Sequence, residues 1–188
     1  RLKIKSKGVE LHSGNNPNWK SLGPNTVPSN GGGAGRLNCV TLVENDENLI
    51  WVGSAGGGAW KSTDGGKSWT STTDKLPSLG VNDVAVNSKR YNTVYLATGD
   101  DWGKATYSVG VVKSFDGGKT WFQTGLRWQT NQQATVSRLL ISDKDTNVLF
   151  ASSNTGIFKS LDGGQTWQKK QDGNFRDLEF MFDSDQIL

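Results

Sequence analysis

The sequence predicts an all-β fold made of four-stranded antiparallel sheets, and three observations carry that expectation. One octapeptide recurs three times, the segments between its copies superimpose with their apolar residues in register, and no stretch shows the period of an amphipathic helix. The copies are Ser62-Thr63-Asp64-Gly65-Gly66-Lys67-Ser68-Trp69, Ser114-Phe115-Asp116-Gly117-Gly118-Lys119-Thr120-Trp121 and Ser160-Leu161-Asp162-Gly163-Gly164-Gln165-Thr166-Trp167. Chance does not produce three such copies at near-constant spacing.

The first unit, residues 36–79, reads as four strands. Leu37 to Leu42 alternates, Glu44 to Asn48 is a polar turn, Leu49 to Ser54 is rich in β-formers, Gly58 to Ser62 leads into the octapeptide, and Trp69 to Thr72 closes the sheet. The second unit, 80–133, aligns without gaps over its first two strands: Val40, Leu42, Ile50 and Trp51 fall on Val84, Val86, Val94 and Tyr95. The third, 134–174, puts Leu139, Ile141, Leu149 and Phe150 in the same places, and a fourth runs from Phe175 to Leu188, inside its second strand. A lone four-stranded meander cannot bury both of its faces, so neighbouring sheets must stack, and a radial stack is a β-propeller. About three and a half blades are expected here, part of a larger propeller, since such rings usually hold about four to eight. Residues 17–188 are assigned to it, and residues 1–16, rich in Lys, Asn, Ser and Gly, to a linker or N-terminal arm.

Each octapeptide position has a mechanical reading. Asp64, Asp116 and Asp162 can accept backbone N–H groups of their own turns, Gly66, Gly118 and Gly164 can take positive φ, and Ser62, Ser114 and Ser160 can tie down the flank. Trp69, Trp121 and Trp167 can anchor the turns by burying a large apolar ring. These are folding residues rather than catalytic ones.

Composition narrows the function classes. The chain has 188 residues, 34% hydrophobic and 21% charged, which suits a folded globular protein. No apolar run is long enough for a membrane helix, so no direct membrane insertion is expected. Its 21 Lys and Arg against 18 Asp and Glu leave +3, scattered along the chain, which gives no ground for a nucleic-acid partner. Cys39 and His12 are the only cysteine and histidine, so no internal disulfide or Cys/His zinc cage can form; no metal and no cofactor are expected.

The octapeptide resembles the Asp-box, or bacterial neuraminidase repeat, of sialidase-like and sortilin-like propellers. The wider context, Trp19-Lys20-Ser21-Leu22-Gly23-Pro24, the glycines 31–33 leading to Gly35-Arg36-Leu37-Asn38, Gly53-Ser54-Ala55-Gly56-Gly57-Gly58 and Tyr95-Leu96-Ala97-Thr98-Gly99-Asp100, resembles the propellers of large exported surface proteins of the Bacteroidetes. That resemblance implies a secreted or cell-surface module on the outer face of a bacterial envelope, of the kind exported by type IX secretion.

Several motifs imitate other sites. Gly66-Lys67-Ser68 and Gly118-Lys119-Thr120 match the end of a phosphate-binding loop, but Lys61 and Lys113 stand where its first glycine belongs. Asp143-Lys144-Asp145-Thr146-Asn147 opens like a calcium loop, yet Val148 and Asn154 occupy the positions that need Gly and Glu. The glycines 31–33 read as a flexible entry into the first strand.

The second unit carries an insertion, Gly99-Asp100-Asp101-Trp102-Gly103-Lys104-Ala105-Thr106-Tyr107-Ser108-Val109, where the other units have short links. Strand order puts it on the face opposite the octapeptide turns. Asp100, Asp101, Trp102 and Tyr107 are therefore the candidate ligand-binding residues, with aromatic rings to stack on a sugar or peptide and carboxylates to bond its polar edges; the competing reading is a self-packed loop. A glycosidase needs an acid and a second carboxylate across the scissile bond. Arg36, Arg138 and Arg176 lie near the starts of first strands but do not share one repeat position, and no Tyr-Glu pair or Arg-Ile-Pro signature accompanies them. In xyloglucan-cleaving propellers a catalytic Asp follows the second strand of the first blade, and this chain has Ala55 there. The expectation is a non-catalytic interaction or scaffold module that binds a protein or glycan and contacts the rest of its own polypeptide. The alternative is a glycoside hydrolase, sialidase-like or xyloglucanase-like, whose other catalytic residues lie outside the chain. A third reading, an assembly factor like the propellers that help build photosynthetic complexes, leaves the Asp100 loop unexplained.

Overall fold

The structure is a computed structural model that describes residues 35–103, 106–181 and 186–187. The chain divides into two compact units, Arg1–Ala34 and Gly35–Leu188, and every described residue belongs to the second. The expected arm at 1–16 and the glycines 31–33 lie outside the described residues.

The described part is all-β. Its first sheet joins β1 (Leu37–Val43), β2 (Asp46–Ser54), β3 (Ala59–Ser62) and β4 (Thr70–Ser71) in sequence order. The second joins β5 (Val81–Val86), β6 (Val94–Thr98), β7 (Gly110–Ser114) and β8 (Phe122–Arg127), and the third β9 (Val136–Ile141), β10 (Leu149–Ser153), β11 (Gly156–Ser160) and β12 (Gln168–Gln171). All neighbours are antiparallel, and the register repeats: Val40 pairs with Val52, Val84 with Leu96 and Leu139 with Ala151. The sole described helix is a short 3-10 turn at Thr130–Gln132. The first turn is tighter than the sequence suggests, because Asn45 adopts φ 64° and lets β2 begin at Asp46.

Sheets pack on one another through their inner strands. β1 lies against β5, and β5 against β9, while β2 also reaches β5 and β6 reaches β9. No fourth strand packs substantially on a strand of another sheet, so the sheets are wedges that converge at their first strands and splay outward, as in part of a β-propeller. Trp51, Val81, Val84, Val94, Leu96 and Val112 fill the first interface, and Tyr95, Val111, Val136, Leu139, Leu149 and Ala151 the second. Burying each large aliphatic or aromatic side chain stabilises the fold by about 1.5–3 kcal/mol, so these interfaces, not the isolated meanders, hold it together. Beyond the third sheet, Phe180 bridges to Ile187, its ring meets Phe150 edge-on at 5.9 Å, and Leu178 is buried.

The three octapeptides close in one way. The Ser hydroxyl donates to the Asp carboxylate at 2.8 Å in each turn and accepts the N–H of Gly66, Gly118 or Gly164 at 2.8–2.9 Å. The carboxylate also accepts the N–H of Ser68, Thr120 or Thr166 at 2.9 Å and the same residue's hydroxyl at 2.5–2.6 Å. These side-chain bonds, then the backbone ones, hold Asp64 and Asp162 down at about pKa 2 and push Asp116 down likewise.

The three tryptophans differ in their surroundings. Trp121 donates through Nε1 to the Thr72 carbonyl of the preceding sheet at 2.8 Å and meets Trp51 edge-on at 6.3 Å. Trp69 and Trp167 instead bond the carbonyls of Gly66 and Gly164 in their own turns at 3.1 Å. Trp69 is exposed, as are Leu37, Val40 and Leu42 of the same sheet. The anchoring expected of all three rings is a property of a sheet that has a neighbour on that side.

Candidate binding site opposite the octapeptide turns

In an up-and-down meander, the turns joining first to second and third to fourth strands share one end. The octapeptides lie there, and the N–H groups of Gly65, Gly117 and Gly163 donate to the carbonyls of Asn48, Asn92 and Asn147 in the adjacent turns. The link from β6 to β7 is therefore at the opposite end, together with the entries into β1, β5 and β9.

Within that link Asp100 is completely buried. Its carboxylate is ion-paired to Arg36 and accepts the Gly103 N–H at 3.2 Å, while its own N–H donates to the Thr106 carbonyl at 2.8 Å. Asp100 thus braces the loop onto the first sheet instead of facing a ligand. The backbone allows this tight return because Gly99 takes φ 104° and donates to the Gly80 carbonyl at 2.7 Å.

Asp101 and Trp102 do reach the open face. Asp101 accepts the Thr135 hydroxyl at 3.2 Å, its N–H donates to Asn82 Oδ1 at 3.2 Å, and Arg176 Nε stands 3.8 Å from its carboxylate. Trp102 is 77% exposed, with the Arg176 guanidinium 5.7 Å from its ring centre. Tyr107 is half-buried, its carbonyl accepts the Ser78 hydroxyl, and it is not among the residues lining the adjacent cavity.

That cavity, about 300 Å³, opens among the innermost strands and is lined by Asp101 and Trp102 together with Asn38, Cys39, Asn82, Asp83, Ser137, Arg138, Arg176 and Asp177. Asparagines knit the strands below it: Asn38 Nδ2 donates to the Val81 carbonyl at 3.1 Å, and Asn82 Nδ2 to the Val136 carbonyl at 2.7 Å. Asp83 accepts the N–H groups of Leu139 at 2.9 Å and Val84 at 3.0 Å, with Arg138 Nη1 at 3.6 Å. Burial outweighs these contacts and pushes the Asp83 carboxyl up. Arg138 Nε lies 3.5 Å from Asp177 without forming a hydrogen bond. Burial, reinforced by Asp83, pushes the Cys39 thiol up to about 12, which denies it a nucleophile's thiolate near neutral pH.

The structure thus brings Arg36, Arg138 and Arg176 to one face although they occupy different repeat positions. It separates Asp100 from Asp101, burying the one wholly and placing the other, largely buried, in the cavity wall. Among the described residues no group of His, Cys, Asp or Glu could hold a metal ion, and no helix is long and apolar enough to cross a membrane. Sequence reading missed Asn38, Asp83, Ser137 and Asp177. Aligned by repeat, Cys39, Asp83, Arg138 and Asp177 form one column of first strands, and charge in a column beside buried apolar residues is the signal that identifies the lining.

No protein-family model matches the sequence, and no curated protein matches it significantly. Solved structures do share its fold. The xyloglucanase of glycoside hydrolase family 74 from Xanthomonas campestris superimposes with a TM-score of 0.59 at 24% identity, over 73% of this chain and 21% of that one. YCF48 bound to a D1 peptide gives 0.55 at 17% identity, over 77% of this chain and 44% of that one. The extracellular domain of a putative hybrid two-component system from B. thetaiotaomicron gives 0.54 at 15%, over 76% and 17%. The chain therefore has the fold of part of a β-propeller, and it spans less than half the length of each of these proteins.

Proposed function

We propose that this chain is a non-catalytic recognition module, part of a larger propeller with Asp-box turns in a secreted or cell-surface bacterial protein, which binds a protein or glycan through the loops opposite those turns. The observation that carries the reading is Trp102, left 77% exposed at the rim of the inner cavity while its neighbour Asp100 is wholly buried against Arg36. An exposed indole beside hydrogen-bonding groups favours recognition. Burial of Asp100 removes one of the two carboxylates that a hydrolytic reading would recruit from this loop, and Ala55 holds no proton to transfer. Proteins of similar fold support both protein binding and glycan chemistry, since YCF48 is bound to a peptide and the family 74 enzyme is a xyloglucanase.

Glycan and peptide arrays read for binding, alongside polysaccharide digests read for newly released reducing ends, test this. Retention of a ligand that is lost in Trp102→Ala, with no release of reducing ends, is the expected result. Turnover abolished by Asp101→Asn or Asp100→Asn would replace the module with a hydrolase.

A further inference from the structure

We infer that the groove between the outer strand β8 and the third octapeptide docks an extended peptide carrying an acidic side chain near an apolar one, a binding surface separate from the Trp102 face. The groove holds about 560 Å³, and Lys113, Phe115, Phe122 and Arg127 are among its walls. Two phenylalanines supply the first argument. Phe115 is 59% exposed and Phe122 55%, and their rings pack on each other at 6.1 Å instead of entering the core. Folding does not require them there. The groove between the first and second sheets repeats the construction, with Lys61 donating to Gly117 as Lys113 does to Gly163, yet Thr63 and Thr70 occupy the two aromatic positions. Apolar rings grouped in water without a folding role mark a contact surface.

The remaining walls are cationic. The Lys113 ammonium lies 4.5 Å from the Phe115 centroid, and Arg127 is exposed with no ion pair among the described residues. No carboxylate lines the groove among the described residues, and the Asp162 carboxylate of the adjoining turn is engaged by Ser160 and Thr166. In the groove between the first and second sheets, by contrast, Asp74 stands in the wall with Lys61 and Lys75. The complement of an aromatic wall beside unbalanced cations is an apolar group beside a carboxylate.

Register sets the spacing of the two anchors. Phe122 pairs with Lys113 and Arg127 with Gly110, three residues away on β7, so the aromatic wall and the arginine stand about 10 Å apart along the strand. Side chains three residues apart on an extended peptide span the same length. The Gly125 N–H donates to the Gly164 carbonyl at 2.9 Å, which closes the edge of β8 midway. The peptide is therefore gripped by its side chains and not added to the sheet as a further strand.

The test titrates the whole chain into labelled heptapeptide amides and reads fluorescence anisotropy. Each probe places Phe or Leu three residues from a Glu in a Gly-Ser background, and its match carries Gln for Glu; the amide removes the terminal carboxylate, so dependence on acid belongs to the side chain. Saturable binding of a Glu probe, at least tenfold tighter than its Gln match and weakening as salt rises, is expected. Arg127→Gln and Phe122→Thr should each weaken it at least fivefold with the circular dichroism spectrum unchanged, the threonine being the residue that the first sheet carries at that position. Trp102→Ala should leave it unaltered. No saturable binding of any Glu probe, equal binding of the Gln matches, or indifference to both groove variants overturns the inference. Binding lost in Trp102→Ala but kept in both groove variants also overturns it, by moving the peptide to the opposite face, and would leave the module reading standing.

Discussion

Lys113 of β7 donates a 2.9 Å hydrogen bond to the carbonyl of Gly163, the first glycine of the next sheet's octapeptide. Lys61, its equivalent on β3, does the same to Gly117 at 3.2 Å. Each ammonium also lies over an aromatic ring of its own sheet, Lys61 5.4 Å from the Trp51 centroid and Lys113 5.0 Å from Tyr95. Partial burial lowers the pKa of both lysines. The third strands of the first two sheets thus each carry a cation that latches the following sheet's turn.

Replacing Lys113 by Met keeps much of the apolar stem and removes the charged donor. The expected loss is about 1–3 kcal/mol, the usual range for a hydrogen bond from a charged group plus a cation–π contact. Urea denaturation followed by circular dichroism measures it. Lys159→Met is the internal control: Lys159 sits 4.9 Å over Phe150 but reaches no described octapeptide carbonyl, so its loss should be smaller. Equal losses would show that the inter-sheet bond contributes nothing.

The second glycines of the octapeptides are unequal. A Cβ on Gly118, at φ 89°, would stand 2.5 Å from the Trp51 ring, whereas on Gly66, at φ 85°, its nearest neighbour would be 3.6 Å away. Gly66→Ala should therefore cost only the backbone strain, about 1–2 kcal/mol. Gly118→Ala adds overpacking of about 1–3 kcal/mol. Thermal unfolding of the two variants should rank them in that order, and the reverse ranking would mean that Trp51 does not pack against the second octapeptide.

These contrasts mark what the sequence disclosed. The sheets were readable because Val40, Val84 and Leu139 repeat a pattern whose register each meander imposes locally, and the octapeptide announces its turn through Ser, Asp and Gly together. The binding face was only half readable. Trp102 and Asp101 stand out in an insertion, but Asp100 is buried against Arg36, six strands earlier and in another unit. Likewise nothing local to Ser137 or Arg138 reveals that they share a cavity with Asp177, because that proximity is created by sheets meeting at their inner strands. Local periodicity is written in consecutive residues, whereas convergence of wedges is not.

The octapeptide carboxylates make stability depend on pH in a defined direction. Asp64 and Asp162 are held at about 2 in the folded chain, below the ordinary 3.8, so their contribution is complete above about pH 4 and disappears as pH falls toward 2. Asp116 is lowered in the same sense. The urea midpoint should fall through that window, and Asp116→Asn should lower it at pH 7 while flattening the acid slope. A slope unchanged in Asp116→Asn would place the acid sensitivity elsewhere.

The Arg36–Asp100 pair gives the loop its shape, and its removal tests that role directly. Arg36 is 45% exposed on its side chain while Asp100 is not exposed at all, so deleting the arginine removes a cation from beside a buried carboxylate. Arg36→Ala should destabilise the loop by about 1–3 kcal/mol, less than the loss for a fully buried pair because solvent can reach the site. Hydrogen exchange should quicken at the Asp100 and Gly103 amides, which the pair helps to order. It should leave the β10 and β11 amides at their original rates. The double replacement Arg36→Ala with Asp100→Ala should recover part of the lost stability, since it removes the buried charge together with the cation beside it. Loop exchange unaltered in Arg36→Ala would mean that Gly99 and Gly103 hold the bend without the ion pair.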